Sequence, residues 1–227
     1  MIDFRGANDY ETRQGLTFAP VTTQPVHKSG RPLHSEINGA DWLFELYLRV
    51  MAKCHKWGSG PLSDNQKRNL AKWEQIMKDE LKKDTGMRFR TPSSSGGTTG
   101  TGNQAKRFFS KEVIPTLERI LERSRAANAG SLIAIHKNFC IIFRTISSSS
   151  MVDCDRLQEL CTETYVAILQ IFPWALVTGV HEVLGHCFQV MRVNDCYGMG
   201  LFSEQGLEGK QGHMVLCFPY QINQNEF

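Results

Sequence analysis

Two histidines and a glutamate stand together in HEVLGH, with His181 and His186 five residues apart. Imidazoles beside a carboxylate invite a zinc peptidase, in which two His one helical turn apart face one ion and the Glu activates water. Five residues, however, turn a regular α-helix through about 500°, which leaves the two side chains about 140° out of phase. The spacing therefore ranks a self-contained peptidase below a plainer meaning: two histidines packed in a mostly apolar helix. A second group is the adjacent Lys106 and Arg107 in GNQAKRFF. Two cations beside the free amides of a helix start suit a phosphodiester backbone, although such a helix often does no more than hold Phe108 and Phe109 in a core. The third is LFSEQGLEGKQ, where Glu204 and Glu208 share a helical face. Carboxylates at that spacing repel unless a cation lies near, and most such pairs are simply solvated.

The elements that position these groups are helices. Ile37, Ala40, Leu43, Phe44, Tyr47, Leu48 and Met51 recur at three- and four-residue steps behind Ser35, a candidate cap. Ser63 followed by Gln66 is a capping-box pattern, and the helix it opens runs toward Gly86. Residues 91–102, TPSSSGGTTGTG, have no apolar content to repay backbone ordering and read as a flexible loop. Beyond it, helical patterns cover residues 104–111, 115–127, 132–147 and 155–171. Pro115 suits a first turn, Gly130 a break, and Asp153 or Asp155 a cap. Pro173 starts or kinks a last helix reaching residue 190. No run alternates with period two, so the expected class is mainly α.

Charge and cysteine usage narrow the partners. The net charge of +3 is too small to announce a nucleic acid by itself, but it is uneven: residues 66–90 carry twice as many basic as acidic side chains, while residues 151–200 are mildly acidic. Seven cysteines without a C-x-x-C pair suggest neither a disulfide framework nor a complete zinc ribbon, and point to a reducing compartment. A polar, charged N-terminus reads against a secretory signal. The uncharged run of residues 165–180 is short, contains Gln170 and Pro173, and reads as buried helix, with no membrane partner.

Taken in order, PLHSEINGADWLFELYLRV, GGTTGTGNQAKRFF, ISSSSMVDCDRLQELCTETYVAILQIFPW, VHEVLGH and GLFSEQGLE resemble the C-terminal part of Transib transposases and of the recombination-activating gene 1 family. The likeness spans residues 32–211. It implies a helical insertion and the C-terminal part of a split RNase H-like, DDE-type nuclease domain whose sheet is largely missing here. Residues 1–32 would be an irregular N-terminal segment, 33–211 the helical region, and 212–227 a divergent tail. Glu208, four residues after the Ser203–Glu204 dipeptide, corresponds to the family's last catalytic carboxylate and would hold Mg²⁺ or Mn²⁺, hard cations that take oxygen ligands. Asn103, Lys106 and Arg107 correspond to DNA contacts. His181 and His186 correspond to half of a zinc site completed in the family by an upstream C-x-x-C.

The same resemblance implies DNA as partner, a dimer in the intact parent, an accessory recombinase subunit, and the nucleus. It also marks departures. In family order the two catalytic aspartates and the C-x-x-C precede Phe18, so both the divalent-cation site and the zinc site are expected to be incomplete. Glu182 stands where the family has lysine, and Gly209 and Lys210 follow Glu208 where it has asparagine and lysine. The expected function is thus a partial DNA recombinase or transposase, from a truncated or decayed copy. The alternative is a non-catalytic DNA- or partner-binding remnant, indifferent to loss of Glu208.

Overall fold

A computed structural model describes residues 32–55, 62–89 and 102–198. The chain is mainly α: α1 (Pro32–Met51), α2 (Asp64–Thr85), α3 (Gly102–Phe108), a 3₁₀ turn at Lys111–Val113, α4 (Ile114–Ser124), α5 (Ala129–Ile146), α6 (Cys154–Ile171), a second 3₁₀ turn at Pro173–Ala175, and α7 (Thr178–Val193). Among the described residues the only β pairing is a single bridge between Met151 and Tyr197. Glu204, Glu208, the 212–227 tail and nearly all of the 91–102 loop lie outside the described residues.

The central element is α1. Its apolar residues do not form one stripe: Trp42, Leu43, Phe44, Leu46, Tyr47, Leu48 and Val50 are all buried, as expected of a helix with neighbours on every side. It packs on α2, α3, α5 and α7. The helix begins at Pro32, ahead of the expected Ser35 cap, because proline fits a first turn whose amide would be unbonded anyway. Gly39 lets α1 approach α5 closely, since a Cβ there would lie 2.6 Å from Phe143 Cζ. Phe143 in turn stacks on Phe139 at 5.7 Å and meets Phe109 at 4.5 Å, forming an aromatic seam between α1, α5 and the end of α3.

Several ends fall where the side-chain chemistry puts them. Ser63 Oγ accepts from Gln66 N–H at 3.3 Å while Gln66 Oε1 accepts from Ser63 N–H at 3.0 Å, and Gly86 closes α2 at φ 68°. Asp153 caps α6, accepting from the amides of Asp155 and Arg156. Others differ from expectation. Gly130 is not the break after α4 but lies in the first turn of α5. The reversal is made by Arg125 and Asn128, both left-handed at φ 51° and 59°; asparagine tolerates that region and Arg125 ends the helix there. Pro173 opens only a 3₁₀ turn, because proline pushes Phe172 out of the helical region. An extended Leu176–Val177 step follows, and α7 starts at Thr178. Trp42 Nε1–H fastens this corner to α1 by donating to Ala175 C=O at 2.7 Å. No helix of the described residues is long and apolar enough to cross a membrane.

Candidate nucleic-acid interface at helix α3

Seven residues are too few for a helix to persist unaided in water, so α3 depends on what grips it. Ala105 and Phe108 are buried, and Phe108 meets Phe44 at 6.3 Å and Phe89 at 5.8 Å. Asn103, Lys106 and Arg107 face outward and are exposed. Asn103 and Lys106 are three residues apart and so share a face. Arg107 has a second engagement that spacing did not reveal. Its guanidinium donates to the Thr85 carbonyl at the end of α2, and Gln104 likewise donates to the Arg88 carbonyl. The Arg107 cation thereby meets the negative end of the α2 dipole, and the Gln104 bond brings the exposed Arg88 beside α3.

Behind this surface lies Glu36, a residue that sequence reasoning passed over. Only 4% of it is exposed. Burial pushes its carboxyl up to about 7, against the opposing pull of the Lys106 ammonium. A signal existed: Glu36 precedes Ala40, Leu43 and Tyr47 by four, seven and eleven residues, which puts a carboxylate in phase with the apolar face of α1. A buried acid with a raised pKa beside an exposed cation has the physical profile of a functional group.

The floor of α3 is polar at one point. His136 on α5 is fully buried, 2.9 Å from Phe108 C=O through Nε2 and 3.1 Å from Tyr47 Oη through Nδ1. A carbonyl only accepts, so Nε2 carries the proton and Nδ1 accepts from the Tyr47 hydroxyl. Burial pushes the imidazole down to about 4, so it stays neutral.

The histidine pair lies on α7, away from α3. Despite the phase difference of their side chains, the rings meet edge to face with centroids 5.3 Å apart. Glycine leaves room for this. The His181 ring lies over Gly185, where a Cβ would stand 3.4 Å from its Cε1, and so reaches along the helix to His186. Phase arithmetic on the backbone underestimated the reach of a side chain lying across a glycine. Tyr165 of α6 also meets the His181 ring, with centroids 5.7 Å apart, and His186 Nδ1 bonds Gln189 Oε1 at 3.1 Å. Burial and the neighbouring His186 both lower the His181 pKa. Cys187 turns the opposite way, into the core, where its Sγ lies 3.7 Å from that of Cys161. Among the described residues no three His, Cys, Asp or Glu side chains gather as a metal-binding group.

No protein-family model matches the chain, and no curated protein matches it. Fold and surface together define a mainly α protein with a short basic helix clamped over a buried carboxylate.

Proposed function

We propose that this chain is the helical C-terminal part of a DNA-cutting recombinase of the Transib and recombination-activating gene 1 type, belonging to a split RNase H-like nuclease domain. It contributes DNA-contacting groups on α3 and, through Glu208, a carboxylate for a divalent cation. Strand cleavage and transfer belong to the complete assembly, a nuclear dimer working with an accessory subunit. The observation that carries the reading is α3 itself, whose exposed Lys106 and Asn103 sit on a helix packed onto buried Phe108 and its aromatic neighbours. Lys106 supplies a phosphate contact, which positions DNA without reading its sequence.

Glu36 fits the same chemistry in type. It is an oxygen donor beside a phosphate-binding cation, and with its carboxyl near pH 7 an approaching cation would ionise it readily. Such a carboxylate would offer an oxygen to a Mg²⁺ or Mn²⁺ ion, which would neutralise charge on the reacting phosphate. His181 and His186 fit zinc in type and would supply two of its usual four ligands.

The test is fluorescence anisotropy of a labelled DNA duplex titrated with the full chain across a range of KCl concentrations. Lys106→Ala should weaken binding and reduce the log–log salt slope by about 0.9, the loss of one phosphate contact. Absence of DNA binding at low salt, or a slope unmoved by the substitution, would sink the reading. The non-catalytic remnant binds DNA equally well. It parts from the nuclease reading in Mn²⁺ binding followed by electron paramagnetic resonance, which should fall in Glu36→Gln and Glu208→Gln only if those carboxylates serve a metal.

A further inference from the structure

We propose that His136 is the positioning residue of α3: held by Tyr47, its imidazole caps the helix at Phe108 and thereby fixes where Lys106 and Arg107 stand. The inference rests on the reading that α3 contacts DNA, and names the device that keeps that contact in register. It starts from the end of a short helix. The last carbonyls of α3 have no further turn to bond. Ala105 C=O is taken by Phe109 N–H at 3.0 Å, Arg107 C=O by Ser110 N–H at 3.2 Å and Ser110 Oγ–H at 2.7 Å, and Phe108 C=O by His136. Lys106 and Arg107 immediately precede that carbonyl, so a shift at Phe108 is a shift of both cations.

The anchor has only one satisfied arrangement. Phe108 C=O needs a donor, and Tyr47 Oη–H, fully buried, needs an acceptor. A neutral imidazole provides both on opposite edges of a rigid ring, and the ring also fills space, 4.9 Å from Phe108, 5.9 Å from Phe109 and 5.7 Å from Tyr47. Leucine at this position would leave two buried polar groups unbonded. Glutamine carries a donor and an acceptor but on one end of a flexible stem. Through His136 helices α1 and α5 thus share a hold on α3, and Tyr47, His136 and Phe108 are all shut off from solvent. His136 acts through the helix it caps.

The experiment compares His136→Leu, His136→Gln and Tyr47→Phe in the full 227-residue chain, each alone and combined with Lys106→Ala. Affinity for the labelled duplex, its salt slope, and peptide-resolved hydrogen exchange are read together. His136→Leu is expected to lose affinity and salt slope to about the extent of Lys106→Ala, roughly tenfold at moderate salt. The double variant should then be little worse than either single one, because a mispositioned Lys106 has nothing left to lose. Exchange should quicken over residues 103–110 while α6 and α7 keep their protection. Tyr47→Phe, which removes only the hydroxyl, should show the same pattern more weakly and carries the test if His136→Leu does not fold. Additive losses in the double variant, or exchange that quickens evenly along the chain, would overturn the inference. If the wild-type chain does not bind DNA, the functional reading fails, and the exchange pattern still decides whether His136 holds α3.

Discussion

Glu36→Gln should change how stability depends on pH, in a direction set by burial. In the unfolded chain a glutamate titrates near 4.5, and in the fold Glu36 titrates near 7. Between these values the native state keeps a proton that the unfolded state has released, so the contribution of Glu36 is fully present below pH 4.5 and is lost as pH rises toward 7. The slope is about 1.4 kcal/mol per pH unit, and the whole loss is about 3 kcal/mol. His136 works the other way. Its imidazole titrates near 4 in the fold against 6.5 unfolded, so the unfolded state binds the extra proton in that window and stability falls as pH drops from 6.5 to 4, again by about 3 kcal/mol. From pH 4.5 to 6.5 the two slopes oppose and nearly cancel. His181, also lowered by burial, adds a rise with pH that is common to wild type and variant. Urea unfolding followed by circular dichroism in steps from pH 4.5 to 7.5 isolates the difference. The stability of Glu36→Gln relative to wild type should climb by about 3 kcal/mol across that range. A difference that stays level would mean that Glu36 is ionised in the fold, and that its burial does not govern its protonation.

Three further substitutions test the packing that positions the site. Gly39→Ala places a methyl 2.6 Å from Phe143 Cζ and should cost about 1–3 kcal/mol in urea unfolding, because a ring locked in an aromatic seam has little room to retreat. Ser63→Ala removes the α2 cap and should cost about 1 kcal/mol, with faster hydrogen exchange confined to the first turn of α2. Gly185→Ala should stabilise α7 by up to about 1 kcal/mol through helix propensity. A Cβ there stands 3.4 Å from His181 Cε1, an ordinary contact, so the ring should stay beside His186 and an NMR titration should find the His181 pKa still below its ordinary value. A pKa restored to the ordinary value would show that the two rings depend on the bare glycine.

What the sequence made legible was local chemistry. The Ser63–Gln66 box, Gly86 and the Asp153 cap fall where predicted because each is satisfied by its own neighbours. The apolar period found α1, but not that it is enclosed on all sides, since enclosure is a property of four other helices. Gly130 and Pro173 misplaced two boundaries for the same reason: Arg125 and Asn128 make the turn that tertiary packing requires, and Pro173 ends up in a separate 3₁₀ corner pinned by Trp42. At the candidate site the motif reading singled out Lys106 and Arg107 but not the Arg107 bond to Thr85, which joins segments far apart in sequence. Glu36 was legible in principle, as a charge in phase with a core. His136 was not, because its meaning lies in Tyr47 and Phe108, residues of two other elements.

The thiol contact between Cys161 and Cys187 also gives the molecule a clock. Alkylating reagents attack thiolates, and these two sulfurs are buried, with the Cys187 thiol pushed well above its ordinary pKa by its partner and by burial. Modification at either must therefore wait for α6 and α7 to part. Mass-spectrometric labelling rates at those two peptides, set against the more open Cys140 and Cys196, would time the opening of this helix pair without an added probe. Because α7 carries both histidines, any ligand that bridges them to α6 should register as a slowing of that clock.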